Sequence, residues 1–304
     1  MSDPAPARRR ALISLCLLAA SPLLRAGTTD PPALRVMASN YPLAYFAERL
    51  LGARGAMDFP VPPDEDPAYW RPDAKAVGKM QRADLIVLNG AEYEKWLPHV
   101  SLPRLKVVDT STGFREAYIH TEDAVTHSHG PGGLHSHGGT AYTTWLDFDQ
   151  AARQAEALAE AIARKRPEWR SQILDKLVSL KQDLAGLDAS LAKLSAAKPG
   201  LPLLASHPVY QYLARRYRLN LQPVHWEPEE MPPPPEWRAL EAMRATHPAR
   251  WMLWEAEPSP EIAAKLEAVG IASVVFGPGA KRPESGDFLT EMRRNLETLQ
   301  PVFR

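Results

Sequence analysis

The sequence predicts an α/β protein of two βα lobes with parallel sheets, joined by a long rigid helix and facing each other across a binding cleft. Three observations predict it. Short aliphatic or β-branched runs alternate with helical patterns in both halves of the chain, as strands and crossover helices do in parallel sheets. Between the halves, Asp147 to Leu194 is an almost unbroken run of helix formers. The length of 304 residues, with 45% apolar and 24% charged side chains, suits about two globular domains.

The elements follow in order. Arg8–Arg10 is a positive n-region, Ala11–Leu24 an apolar stretch too short to span a bilayer, and Leu24-Arg25-Ala26 a small-residue cleavage site, so residues 1–26 read as a signal peptide. The only cysteine, Cys16, lies inside it. Residues 27–146 form the first lobe. Its strands are Leu34–Ser39, Ala56–Val61, Asp84–Asn89 and Leu105–Asp109. Its helices are Pro42–Leu51, with proline in the opening turn, and Asp73–Arg82. Within this lobe residues 120–140 are polar, rich in Gly and His and without hydrophobic period, which predicts a mobile loop. Residues 147–198 form the link. Only Pro167 interrupts it, and Ala155, Leu158, Ala159 and Ile162 share one helix face. A single helix of about 45 residues would reach about 67 Å, enough to brace both lobes. Residues 199–304 form the second lobe. Its strands are Pro202–Ser206, Leu221–His225, Trp251–Glu255 and Ala272–Phe276. Its helices are Val209–Arg218, Trp237–Ala245, Pro260–Val269 and Asp287–Leu299. The four prolines Pro232–Pro235 read as a stiff linker. Both lobes are Rossmann-like, and their strand ends should carry the binding loops.

Composition excludes several functions. Lys plus Arg and Asp plus Glu both number 36, for zero net charge, so no basic face for nucleic acid is expected. One cysteine allows neither a disulfide framework nor a multi-cysteine zinc knuckle. No GxxxxGK[ST], GxGxxG or GxSxG pattern occurs at the places catalysis would need it, so the chain is not expected to be an enzyme.

Two lobes, a cleft and an export signal together describe a periplasmic binding protein. Several stretches then resemble the solute-binding proteins of zinc and manganese ABC importers. These are MASNYPLAYFAERL at Met37–Leu50, VPPDEDPAYWRPD at Val61–Asp73, ADLIVLNGAEYEKWL at Ala83–Leu97, TTWLDF at Thr143–Phe148, SHPVYQYLARRYRL at Ser206–Leu219 and FLTEMRRNLETL at Phe288–Leu299. The resemblance implies a rigid linking helix, two metal ligands from each lobe, a periplasmic location, an inner-membrane ABC permease as partner, a monomer, and no organic cofactor.

Of the four ligand positions implied by the resemblance, His207 matches the third and Glu255 most closely matches the fourth. Ala68 and Thr143 stand where the two first-lobe histidines would be. Zinc prefers three or four N, O or S donors in a tetrahedral set, and alanine cannot ligate. Asp66, Glu65, Tyr142 and Asp147 lie near the vacated positions, and His225 and Glu227 follow a second-lobe strand. Arg71, where the family usually carries an acid, either pairs with Glu65 or Asp66 or attracts an anionic chelate.

A second constellation lies in the loop. Five of the nine histidines fall between His120 and His137, with pairs at His127/His129 and His135/His137 across a flexible Gly130–Leu134 spacer. Four imidazoles so spaced could form a zinc shell, and neutral imidazole also suits copper and nickel. The alternative is a solvated loop with no specific role. The resemblance favours zinc, because zinc members carry such a loop, over manganese or another divalent transition metal. Trp70, Trp145 and Trp226 neighbour cleft positions, and Trp251 and Trp254 bracket a strand; they serve either packing or an organic ligand. Three functions stay open at this point. The first is a zinc carrier feeding a permease. The second is a zinc chaperone or buffer that uses mainly the histidine loop. The third is a binding protein turned to a metal chelate or small organic ligand.

Overall fold

The computed structural model describes Met1, residues 33–121, 126–128, 134–136 and 139–304. Residues 2–32, which include most of the expected signal peptide, and His129 and His137 lie outside the described residues. The first lobe is a four-stranded parallel sheet ordered β2-β1-β3-β4. Its strands are β1 (Leu34–Ala38), β2 (Gly55–Asp58), β3 (Leu85–Leu88) and β4 (Val107–Asp109), with helices α1 (Tyr41–Leu51) and α2 (Ala74–Arg82). Asn40 ends β1 and caps α1, its side chain accepting from the Leu43 N–H.

The described parts of the histidine segment, expected as a loop, form short strands. Strand β5 (His120–Thr121) pairs antiparallel with β8 (Gly139–Thr140), and β6 (Thr126–Ser128) with β7 (Leu134–Ser136). The β-branched Thr121, Thr126 and Thr140 favour those ladders. The register sets His127 opposite His135.

The link is helical but is not one rod. Helix α3 (Phe148–Lys165) and helix α4 (Arg170–Ser195) are separated by a 3₁₀ turn at Pro167–Trp169. Arg166, preceding the proline, leaves the helical region at φ −137°, ψ 75°, as a pre-proline residue is driven to do. The chain then folds back, since Lys181 meets Glu156 at 3.2 Å, a separation that would be about 37 Å along a straight helix. Ile173, Leu177, Leu180, Leu184, Leu187 and Leu191 form the buried stripe of α4. They share one core with Leu50 of the first lobe and Leu203 of the second. Arg49 of α1 binds Asp183 at 2.7 Å, and Arg216 binds Asp188 at 2.8 Å. Helix α4 thus joins the lobes on about 39 Å of length.

The second lobe repeats the first, with parallel order β10-β9-β11-β12. It comprises β9 (Pro202–Ala205), α5 (Gln211–Tyr217), β10 (Asn220–Pro223), α6 (Pro234–Thr246), β11 (Trp251–Trp254), α7 (Pro260–Ala268), β12 (Ala272–Val275) and α8 (Phe288–Leu299). Pro234 and Pro235 open α6 instead of prolonging a linker, because proline's missing N–H costs nothing in a first turn. Trp226 and Trp237 stack at 4.7 Å within the core under β9 and β11, so these rings pack. Among the described residues no helix is long and apolar enough to cross a membrane.

Candidate functional site

In both sheets the strand order reverses between the first and third strands, and in open α/β sheets ligands bind beyond the strand ends at such points. There the lobes enclose a cleft of about 1180 Å³. Ser206 and His207 follow β9, and Glu255 follows β11.

His207 is only 2% exposed, and its Nε2 lies 3.2 Å from Glu227 Oε1. Burial pulls the imidazole pKa down, but the bond to Glu227 and the charge of Glu255 outweigh it, leaving it above the ordinary value. A metal arriving on this nitrogen must displace a proton. His225 stands edge-on to His207, ring centres 6.3 Å apart. Among the described residues no three His, Cys, Asp or Glu side chains already converge as a metal shell.

The first lobe contributes differently. Asp64, Glu65 and Asp66 line the cleft mouth in the loop after β2. Asp66 Oδ1 accepts from the Ala68 N–H at 2.9 Å, and its carbonyl accepts from Trp70 N at 2.7 Å. This turn carries Ala68 inward, to zero exposure. Thr143 is 4% exposed and donates its hydroxyl to the Val209 carbonyl of the second lobe. Both positions are thus held by packing and hydrogen bonding. Asp147, a candidate ligand, is placed at the start of α3. It caps α3 through the N–H groups of Asp149 and Gln150 and lies 3.8–3.9 Å from Arg216 and Arg215. Among the described residues no ion pair joins Arg71 to Glu65 or Asp66, and Arg71 lines the cleft exposed.

Beside Ala68 and Thr143 stand Tyr69 and Tyr142, their hydroxyls 3.4 Å apart. Burial raises Tyr69 to about 12 and Tyr142 well above its ordinary value, so both stay neutral phenols. Tyr93 and Trp145 pack edge to face behind them at 5.5 Å.

Sequence reasoning missed Glu291. It projects from α8 into the cleft floor between Gly277 and Gly279, where an added Cβ would meet its oxygens at 2.9 and 3.2 Å. Asn295 holds both backbone groups of Gly277, and Trp145 Nε1 donates to the Pro278 carbonyl at 2.7 Å. Burial raises Glu291 to about 7, and its Oε2 has no hydrogen-bond partner among the described residues. The signal was available: Phe288, Met292 and Asn295 are the buried face of α8, and position 291 falls between them on that face.

The family described as zinc-uptake complex component A, periplasmic (ZnuA), matches residues 36–302. The chain belongs to this family. Its relatives include the high-affinity zinc uptake system protein ZnuA of Bacillus subtilis, 24% identical over 290 residues, covering 88% of this chain and 86% of that protein. The zinc-binding protein AdcA of Streptococcus pyogenes is 24% identical over 289 residues. That match takes in 88% of this chain but only 55% of AdcA, so the chain spans just over half of that relative. The Zn(II)-bound ZnuA-like domain of Streptococcus pneumoniae AdcA superposes with a TM-score of 0.73 at 18% identity, over 89% of this chain and 99% of that domain. The expected α/β fold of two lobes is thus the fold of the family.

Proposed function

We propose that this member of the ZnuA family is an exported periplasmic carrier that captures a divalent metal, zinc first, and delivers it to an inner-membrane ABC permease. The observation that carries this reading is the placing of His207, with Glu227 and Glu255, at the interlobe cleft of a chain matched to the family from residue 36 to 302. Eight carboxylate side chains line the cleft against three from Lys and Arg, a field that concentrates cations. Imidazole and carboxylate suit zinc; manganese, a harder ion, is served less well by histidine. The histidine hairpin, with His127 opposite His135, acts as a capture site together with His129 and His137. Ala68 and Thr143, which cannot supply the first-lobe ligands, favour a second reading, in which the hairpin alone makes the protein a zinc buffer.

The test is a zinc titration by calorimetry on chelator-stripped mature protein, beside His207→Ala and a variant lacking residues 126–138. Loss of the tightest site with His207→Ala supports the carrier. Loss only with the deletion supports the buffer. Zinc heat in none of the three overturns both.

A further inference from the structure

The strands of the first lobe all start along one edge of their parallel sheet and end along the other, where the cleft lies. The starting edge carries a cation at every strand. Arg54 immediately precedes β2, Arg35 is the second residue of β1, Arg82 stands three residues before β3, and Lys106 immediately precedes β4, with Arg104 two residues behind it. With neighbouring strands about 4.8 Å apart, the row is about 14 Å wide. All four arginines are exposed. Among the described residues flanking these starts the one carboxylate is Asp84, and Arg35 holds it, through its N–H at 2.8 Å and its Nε at 3.9 Å. In the middle of the row an apolar side chain points out: Leu105, between Arg104 and Lys106, is 94% exposed. Its turn is fastened in place, because Lys106 Nζ donates to the Gln81 carbonyl and Gln81 Nε2 to the Ser101 carbonyl, both at 2.9 Å.

We propose that this starting edge docks on the surface of an anionic phospholipid bilayer, with the arginines on lipid phosphates and Leu105 inserted at headgroup depth. Guanidinium groups bind phosphate oxygens in pairs, and basic groups near an anionic leaflet add their attractions. A free phosphate would engage one or two of these groups. A lipid surface meets the whole row and also gives Leu105 an apolar destination, the combination that holds proteins at a membrane interface. The second lobe has only half of the pattern. Arg218 and Arg250 stand before β10 and β11, but among the described residues no large apolar side chain is exposed at its strand starts. Docking by the first-lobe edge turns the acidic, cleft-facing edge, with Asp64, Glu65 and Asp66, away from lipid of the same charge.

The test is co-sedimentation of the metal-free full mature chain with vesicles, so it stands apart from the metal-carrier reading. One set of vesicles is phosphatidylcholine alone, the other phosphatidylcholine and phosphatidylglycerol in equal parts. Partitioning to the anionic set should be at least about tenfold stronger and should be lost in high salt. In an Arg82→Gln, Arg104→Gln variant it should fall at least about tenfold, and in Leu105→Ser at least about threefold. An Arg218→Gln, Arg250→Gln variant, altered on the second lobe, should partition like the wild type. Equal partitioning to both sets, or none to either, overturns the inference, and this wild-type comparison decides even where a variant folds poorly. An equal loss in the second-lobe variant also overturns it, since the attraction would then belong to charge anywhere on the surface. Retention on poly-L-glutamate without vesicle binding would mean an acidic protein partner and overturn it as well.

Discussion

Glu291 allows a quantitative test of how the cleft floor is built. Burial keeps its proton to about pH 7, against an ordinary value of 4.5, with only the charge of Arg294 opposing. The folded carboxyl therefore holds its proton more tightly than the unfolded one. Below about pH 4.5 both states are protonated and the group contributes nothing. Between about 4.5 and 7 the native state binds more protons, so stability falls as pH rises, and above 7 the loss is complete. That displacement corresponds to about 3 kcal/mol. Glu291→Gln keeps the size, removes the ionisation, and forfeits no bond at Oε2, which has no partner among the described residues. The variant should match the wild type near pH 4.5 and exceed it by up to about 3 kcal/mol near pH 8. At roughly 2–4 °C per kcal/mol for a chain of this size, that is a Tm gain of roughly 6–12 °C. The assay is thermal unfolding of metal-free protein across that pH range. Parallel wild-type and variant profiles would refute the reasoning, because they would mean the carboxyl ionises equally easily in both states.

Other outcomes follow from the packing. Thr143→Val removes the hydroxyl that bridges to Val209 and should cost about 1–3 kcal/mol in urea unfolding, whereas Thr143→Ser should recover most of it. Ala68→His, the residue the resemblance implies there, should destabilise by about 1–3 kcal/mol through overpacking at a position of zero exposure; calorimetry should show no new tight zinc site. Leu184→Ala, in the stripe of α4 and fully buried, should cost about 2–5 kcal/mol, read as a lower denaturation midpoint with an unchanged slope.

The sequence made the sheets legible because parallel strands buried on both faces are short aliphatic runs, and LIVL at β3 is buried at every position. The break at Pro167 was visible as a proline, but not its consequence. Whether two helices continue or fold back depends on what covers them, and the cover here is the leucine stripe meeting both lobes. The site divided in the same way. His207 and Glu255 stand just beyond strand ends β9 and β11, positions that topology fixes. Asp147 looked equally available by sequence distance but serves as an N-cap, a role fixed by one local backbone angle. Glu291 lies inside the stretch FLTEMRRNLETL, but only the glycine loop over it shows what it faces.

The lobes are held together by contacts within the protein. Where ligands come from both lobes, as the family resemblance implies, the metal is itself a cross-link between them. Here the cross-links are protein. Thr143 donates to Val209, Trp145 to Pro278, the Tyr41 N–H to Ala280 at 2.9 Å, Tyr212 to Ala141 at 3.0 Å, and Arg282 binds Glu48 at 2.8 Å while covering the Tyr41 ring. Several of these join buried groups, and each such bond contributes about 1 kcal/mol with cooperativity from its neighbours. A ligand bound in the cleft has little leverage over a seam of that strength. Ligand should therefore raise stability only by mass action, RT ln(1 + [L]/Kd), without drawing the lobes together. Small-angle scattering with and without saturating zinc should give the same radius of gyration while Tm rises with zinc concentration. A contraction on binding would show instead that the seam yields and that the metal still couples the two lobes.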